Sequence, residues 1–288
     1  MTFKTWAAAG ASCLAIAALA AASANPATAA KNRYAGTITL GYSYTDFDLQ
    51  NGLGNTNTDA FIGSGAVVFN LEGNWFAQAD FSFSSISPDI SGSPVSLSLD
   101  TWNAGGTVFW RDPSVGMLGV DLAYQSADVG ISGDGYRAGV RGEWYPNDRW
   151  TVSGAVGWEQ IDFNLATVDG IYANLGVKYY VNDKISVSLN ANYYEANVDV
   201  ASFSPSQWSV GAEGEYLISR ETPVSVYGGV RYGDINPDIG GGVDDPTQWT
   251  AYVGLKFRFG NDGDTLAGQD RDGAVAPTTT GFGQPFQM

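Results

Sequence analysis

The sequence predicts an all-β fold, a transmembrane antiparallel up-and-down β-barrel of about twelve strands. Three observations lead to this prediction: a long alternation of apolar and polar residues, five successive positions without charged residues on one face of each strand, and tryptophans grouped near strand ends. The alternation runs through residues 35–259 in segments of roughly 10 to 15 residues, whereas strands of soluble proteins usually have about five or six. We therefore predict a single barrel domain over residues 35–259.

Turn-forming residues divide this region into the predicted strands. We predict strands at residues 35–48, 59–70, 74–87, 97–110, 115–128, 134–145, 149–163, 168–181, 184–199, 206–219, 223–235 and 247–259. Every second connection is a tight polar turn, at residues 71–73, 111–114, 146–148, 182–183 and 219–222. The other connections are longer and more irregular, such as those at residues 49–58, 87–96, 200–205 and 236–246.

One face of every predicted strand is apolar. Five successive positions on that face of each strand carry no charged residue and no Asn, Gln, Ser or Thr, as Val152 and Val156 illustrate in the seventh strand and Val187 and Leu189 in the ninth. The opposite face holds charges or amides on most strands. Because an Arg or Lys in the middle of a bilayer costs about 2 to 4 kcal/mol, only the apolar face can contact lipid. We therefore expect the polar face to point into the barrel.

The tryptophans predict where the membrane interfaces lie. All of them except Trp6 fall on the apolar face near strand ends. They are Trp75, Trp102, Trp110, Trp144, Trp150, Trp158, Trp208 and Trp249. A spacing of eight residues, as between Trp102 and Trp110, spans roughly 26 Å along a strand and about 20 Å along the membrane normal at a tilt near 40°. This spacing predicts two aromatic girdles, whereas core anchors of a soluble sandwich would not lie at both rims.

The last predicted strand carries a short motif, residues 252–259 with the sequence YVGLKFRF. It resembles the terminal-strand signal of Gram-negative outer-membrane β-barrel proteins of the porin-like kind. The resemblance implies that Gly254, Phe257 and Phe259 form an assembly signal read by the barrel-assembly machinery. In that family the aromatic residue is usually the last of the chain, whereas this chain continues to Met288.

The arrangement of the connections predicts the orientation in the membrane. Bacterial outer-membrane barrels have an even number of strands, with short turns on the periplasmic side and longer loops outside. We therefore predict location in the cell outer membrane, with both ends of the barrel domain periplasmic. The expected partners are outer-membrane lipids, lipopolysaccharide and the barrel-assembly machinery.

The two termini predict export and a tail. Residues 1–24 combine Lys4, an Ala-rich apolar stretch and the small-x-small site that ends at Ala24, which together indicate a cleavable signal peptide. Cleavage after Ala29 is the alternative, and a retained anchor is disfavoured because the stretch is short and mostly alanine. Residues 25–34 then form a short periplasmic segment. Residues 260–288 are polar and rich in Gly and Asp, which predicts a disordered or loosely docked periplasmic tail.

The polar face predicts the composition of the lumen. Most of its residues are small, and small residues leave space in a barrel whose size lies between a filled eight-stranded one and an open sixteen-stranded one. Acids and bases occur on it in equal numbers. They are Asp80, Asp121, Arg137, Arg141, Glu143, Glu159, Lys178, Glu213, Glu215, Arg231, Lys256 and Arg258. These charges either line a transport path or form a salt-bridge network that stiffens or closes the barrel.

Catalytic chemistry is not predicted. The chain has no histidine, and its single cysteine, Cys13, lies in the predicted signal peptide. This composition removes the usual zinc, haem and copper ligands and the histidine-based activation of nucleophiles. We therefore expect no enzymatic activity, no cofactor, no metal and no nucleic-acid partner. The predicted function is a narrow passive diffusion channel for small hydrophilic solutes or cations, and the alternative is a non-conducting structural or adhesive surface barrel.

The distribution of charge predicts a preference for cations. The net charge is −16, and the predicted extracellular ends and loops carry acids without any Lys or Arg. These acids are Asp46, Asp48, Asp59, Asp89, Asp100, Asp128, Asp134, Asp162, Asp169, Glu195, Asp199, Asp234, Asp238, Asp244 and Asp245. They should raise the concentration of cations at the outer mouth. The alternative is that they share divalent cations with lipopolysaccharide and have no role in transport.

Overall fold

A computed structural model of the chain describes residues 34–48, 55–89, 99–128, 130–199, 204–219, 223–236, 245–260 and 263–277. These residues form a closed barrel of twelve antiparallel strands, followed by one short helix. The strands are β1 (Tyr34–Asp48), β2 (Asn55–Glu72), β3 (Trp75–Asp89), β4 (Leu99–Asp112), β5 (Gly116–Asp128), β6 (Ser132–Asn147), β7 (Trp150–Phe163), β8 (Ala166–Asn182), β9 (Ile185–Val198), β10 (Ser206–Ser219), β11 (Val224–Asn236) and β12 (Thr247–Phe259). The helix is α1 (Leu266–Asp272). The predicted all-β barrel is confirmed.

Closure of the barrel gives the backbone N–H and C=O groups of the first and last strands hydrogen-bond partners. Each strand pairs with its neighbours in sequence, and β1 pairs with β12, so no strand presents an open edge. In the closing pair Leu40 lies opposite Leu255, and Gly36 lies opposite Phe259. A closed ladder is required in lipid because unpaired backbone groups find no water there.

The connections differ between the two ends of the barrel. We call the end with residues 73–74, 113–115, 148–149 and 183–184 and with Pro223 the short-turn end, and the other end the long-loop end. Gly73 has φ 59°, a left-handed conformation that favours glycine in a tight turn. The alternation is less regular than predicted, because the β5–β6 and β7–β8 connections at the long-loop end, which include residues 130–131 and 164–165, are also brief.

Exposure confirms which face points outward. Apolar side chains on the predicted lipid face are exposed, with 65% of the Leu189 surface and 58% of the Val156 surface accessible. Polar side chains on the other face are buried inside the barrel, as Ser186 and Thr151 are. Apolar residues outside and polar residues inside are the reverse of a soluble protein and are expected where lipid is the solvent.

The C-terminal region continues beyond the closing strand. The chain turns at Gly260, which has φ 73°, and α1 follows with Thr265 as its N-cap. Residues 263–277 lie against the inner wall of the barrel, where Lys178 and Arg258 donate to Asp270. Of the two states predicted for the tail, this arrangement agrees with the docked one for these residues. Residues 1–33 and 278–288 lie outside the described residues, and so do the predicted signal peptide and the end of the tail. Among the described residues, no helix is long and apolar enough to cross a membrane.

Candidate functional site

The predicted lumen charges occupy two arcs of the barrel wall. The β3–β7 arc carries Asp80, Asp121, Arg137, Arg141, Glu143 and Glu159. The β8–β12 arc carries Lys178, Glu213, Glu215, Arg231, Lys256 and Arg258. In a ring of twelve strands these arcs face each other across the bore.

Glu215 is the centre of the charge network on the β8–β12 arc. Its Oε1 accepts a hydrogen bond from Nη2 of Arg258 at 2.6 Å. Its Oε2 lies 3.2 Å from Nζ of Lys256 and 3.5 Å from Nζ of Lys178. The carboxylate is buried, and a buried charge needs such partners because it has lost its hydration. The sequence allowed either a transport path or a salt-bridge network, and for these four residues the geometry agrees with the network.

Asp270 of α1 joins this network from the tail. Its Oδ1 accepts from Nη2 of Arg258 at 2.6 Å and from Nε at 3.1 Å. Its Oδ2 accepts from Nζ of Lys178 at 2.9 Å and from the Tyr180 hydroxyl at 3.1 Å. Burial disfavours the charged form, but the charges of Arg258 and Lys178 outweigh it and hold the pKa of Asp270 below its usual range. Asp270 is therefore an ionised tether between tail and wall.

The β3–β7 arc is paired less tightly. Nε of Arg137 lies 3.7 Å from Oδ2 of Asp121, and both side chains are buried. Nε2 of Gln125 donates to Oε2 of Glu159 at 3.2 Å. The Nε and Nη1 atoms of Arg141 have no hydrogen-bond partner among the described residues. This arc therefore keeps polar groups available to water or to a solute.

Tyrosine rings fill part of the space that lumen glycines provide. A Cβ atom at Gly139 or Gly157 would collide with the Tyr172 hydroxyl, and one at Gly254 would collide with the Tyr227 hydroxyl. The sequence interpretation took the small lumen residues as space for water. At these positions the space holds aromatic side chains instead, so the bore is narrower than the composition of the polar face alone suggests.

A cavity of about 280 Å³ remains inside the barrel. Charges of both arcs line it, including Arg141 and Glu143 on one side and Glu213 and Lys256 on the other. The tail supplies further lining residues at positions 270, 271 and 274–277. The charged and hydroxyl-bearing residues of this lining, together with the volume, make the cavity a place for water and small hydrophilic solutes.

The predicted girdle tryptophans lie on the outer surface. Six of them are exposed, among them Trp144 and Trp249, and Trp102 and Trp110 are half-buried. Near the short-turn end, the ring centroids of Trp150 and Tyr179 are 4.6 Å apart. At the long-loop end, the ring centroids of Trp249 and Tyr232 are 5.0 Å apart. The role of these residues at two membrane interfaces stays a prediction.

The predicted assembly residues lie in the strand that closes the barrel. Gly254 pairs with Gly41, Phe257 pairs with Ile38, and Phe259 pairs with Gly36. A Cβ atom at Gly36 would collide with the Phe259 ring, so this ring lies directly over that glycine. Reading of this segment by the assembly machinery stays a prediction.

The sequence interpretation missed two arginines that join the tail to the barrel wall, Arg111 in the wall and Arg271 in the tail. Arg111 was placed in a turn, but β4 extends to Asp112, and the guanidinium of Arg111 reaches Gly273 inside the barrel. Extending the alternation from Phe109 by one more position would have placed Arg111 in the lumen. Arg271 lies in a region without strand periodicity, and no pattern in the sequence indicates its position.

Comparisons with known proteins agree with this architecture. A family model described as the outer membrane protein beta-barrel domain matches residues 11–214. The crystal structure of an outer membrane channel from Pseudomonas putida F1 is similar, with a TM-score of 0.61 and 12% identity over 82% of this chain and 99% of that one. The beta domain of the Bordetella autotransporter Brka has a TM-score of 0.50 and 11% identity over 78% of this chain and 100% of that one.

These comparisons differ in what they show. No curated protein matches the sequence at a significant level. At such low identities the two structures share the fold alone. The family model covers most of the chain, and its match agrees with the closed twelve-stranded barrel and its apolar outer surface. The chain therefore belongs to the outer membrane protein beta-barrel family and resides in the outer membrane.

Proposed function

We propose that the protein is a narrow passive diffusion channel for small hydrophilic solutes. The observation that carries this proposal is the cavity of about 280 Å³ between charged walls inside a closed barrel. Ionisable groups at membrane depth are expensive and commonly mark the path of a solute or ion. The partly unpaired guanidinium of Arg141 supports a polar path rather than a sealed core.

We further propose that the channel prefers cations. The described residues of the long-loop end include Asp46, Asp100, Asp162 and Asp234, and no Lys or Arg lies at that rim among them. Acidic side chains within about one Debye length of a mouth, roughly 8 to 10 Å in physiological salt, raise the local concentration of cations. Of the acids predicted at this mouth, Asp238 and Asp244 lie outside the described residues.

The alternative function is a non-conducting structural or adhesive barrel. Three features favour it: the pairing of Glu215 with bases, the tyrosines packed on lumen glycines, and the tail within the lumen. Each of these features either fills part of the bore or pairs a charged side chain that could otherwise contact a solute. A barrel closed in this way would still expose its long-loop end to the outside of the cell.

Conductance in planar lipid bilayers separates the two functions. We expect discrete single-channel steps from the refolded protein, small in the full-length chain and larger when the tail is removed after Gly260. Absence of steps from both proteins, at equal levels of inserted and folded barrel, would favour the structural barrel. Reversal potentials in a salt gradient then measure the preference for cations.

A further inference from the structure

The C-terminal segment, residues 263–277, contacts the β8–β12 arc through its first half. Leu266 packs against Leu217 of β10 and Tyr180 of β8, and all three are buried. The Leu266 amide donates to the Asp183 carbonyl in the β8–β9 turn at 2.8 Å. Asp270 adds its bonds to Lys178, Tyr180 and Arg258. The first half of the segment is therefore fixed to this arc at the short-turn end.

The second half contacts the β3–β7 arc. Nη1 of Arg111 in β4 donates to the Gly273 carbonyl at 2.7 Å. Nε2 of Gln78 in β3 donates to the Val275 carbonyl, and the Val275 amide donates to Oε1 of Gln78, both at 2.9 Å. Val275 also packs in a buried apolar cluster with Val68 and Phe109.

The segment therefore crosses the bore. Leu217 belongs to β10 and Arg111 to β4, and these strands lie on opposite sides of a twelve-stranded ring. Between the two anchors, Nη2 of Arg271 donates to the carbonyls of Asn147 and Trp150 at 2.7 and 2.8 Å. The Arg271 guanidinium also lies over the Tyr145 ring, 4.7 Å from its centre. These contacts place the crossing at the level of the β6–β7 turn.

The barrel can release the segment without losing any strand pairing. All twelve strand pairs form within β1–β12, and the segment adds no strand to the sheet. Its anchors are polar bonds and two buried apolar side chains, Leu266 and Val275. Gly260, with its left-handed φ, leads the chain from β12 toward the segment. Docking and release therefore leave the wall of the barrel intact.

We propose that the C-terminal segment is a plug that closes the short-turn end of the lumen, with Asp270 as its latch. This inference rests on the proposed channel function and adds its regulation. The segment also lines the 280 Å³ cavity, so its departure opens that cavity toward the short-turn end. According to the predicted orientation, this end faces the periplasm.

Conductance measurements on full-length variants test the latch. Asp270→Asn keeps the shape of the side chain but removes the charge that holds Lys178 and Arg258. Asp264→Asn is the matched control, because it removes the same charge from an exposed position of the same segment. We expect Asp270→Asn to raise the mean conductance or the open fraction at least threefold. Asp264→Asn should behave like the unmodified chain.

A crosslink tests docking directly. In a Cys13→Ser background, Leu217→Cys together with Leu266→Cys places two thiols where the buried leucines pack. We expect a short bifunctional thiol reagent to join them and hold the conductance at the low level. A matched pair, Leu217→Cys with Asp264→Cys, should crosslink far less because residue 264 is exposed.

The outcomes separate the plug from the channel. Failure of the leucine-site pair to crosslink in a folded barrel overturns docking of the segment, and hence the plug. Equal conductance from the crosslinked chain and from a chain ending at Gly260, with both conducting, overturns the plug while the channel remains. Efficient crosslinking, with no conductance even from the shortened chain, refutes the channel function instead and leaves the segment as a structural element.

Discussion

Nη2 of Arg258 lies 2.6 Å from Oδ1 of Asp270, although the first residue belongs to the closing strand of the barrel and the second to the tail. The same nitrogen also lies 2.6 Å from Oε1 of Glu215. One guanidinium therefore links the wall of the barrel to the segment that crosses its bore. Charge-assisted bonds of this kind are among the stronger polar contacts in proteins.

Replacing Arg258 should therefore destabilise the barrel. Arg258→Gln leaves the buried Glu215 with only two lysines and removes the two Arg258 bonds to Asp270. Loss of one partner from a buried ion pair costs about 3 to 5 kcal/mol, and the remaining lysines should keep the loss near the lower value. Urea unfolding in lipid vesicles measures it. Arg149→Gln, at an exposed turn position, is the control, and equal stability of the two variants would contradict the structural role of Arg258.

The facing of β9 can be tested with two adjacent residues. Leu189 points outward with 65% of its surface accessible, whereas Ser188 lines the lumen cavity. Leu189→Arg should lower folding stability by about 2 to 4 kcal/mol or block insertion, because its charge would enter the hydrocarbon. Ser188→Arg should insert normally, since charged and hydroxyl-bearing side chains line this cavity. Equal refolding yields into vesicles for the two variants would show that the assignment of Leu189 to the lipid face and Ser188 to the lumen is wrong.

The packing of tyrosine on glycine predicts a contrast within β7. Gly157→Ala would place a methyl group against Tyr172, whereas at Gly154 the nearest atom to an added Cβ, the Asn174 carbonyl oxygen, is 3.5 Å away. We expect Gly157→Ala to destabilise the barrel by about 1 to 3 kcal/mol through overpacking, and Gly154→Ala to change little. Heat- or urea-induced unfolding monitors both. A double variant with Tyr172→Ala should recover part of the loss if the ring is the cause.

The strands could be predicted because each of them carries its own pattern. The largest difference between a predicted and an observed strand start is at β2, which begins at Asn55 rather than at residue 59. Lipid requires one apolar face on every strand, so alternation alone fixes which residues point outward. The order of the strands follows from the up-and-down connections.

The lumen could not be predicted to the same extent. Arg111 of β4 and Asp270 of α1 both take part in the contacts between the tail and the barrel wall at the short-turn end. No periodic pattern in the sequence predicts contacts between a tail and a barrel wall. The glycines at positions 139 and 157 indicated open space, whereas the ring above them comes from Tyr172 on another strand. Contacts across a bore depend on strand tilt and stagger, which a strand-by-strand interpretation does not provide.

The acidic mouth predicts a measurable selectivity. Replacing Asp234, Asp238, Asp244 and Asp245 with Asn removes four negative charges near the β11–β12 connection. The reversal potential in a tenfold salt gradient should shift toward zero, and the shift should be smaller at high salt because the charges are screened. Lys184→Gln, in the short β8–β9 turn, is a control at the other end. If the four Asp substitutions leave the selectivity unchanged, the acidic side chains at the outer mouth are not the cause of the cation preference.

Acid should release the plug, because docking lowers the pKa of Asp270. The groups that face this carboxylate are Glu215, Lys178, Lys256, Arg258 and Tyr180. A carboxyl whose docked pKa is depressed stabilises docking above its undocked pKa, about 3.9 for Asp, and this contribution is lost as the pH falls through the docked value.

We therefore expect the conductance to be low from pH 7 down to about 4 and to rise reversibly below it. Glu215 is the other carboxyl among the groups that face Asp270. The Asp270→Asn chain distinguishes the two carboxyls, since it keeps Glu215. If Asp270 is the latch, this variant conducts at the raised level already at pH 7 and gains little in acid. A full acid response in Asp270→Asn would instead assign the transition to Glu215 and leave Asp270 without a role in release.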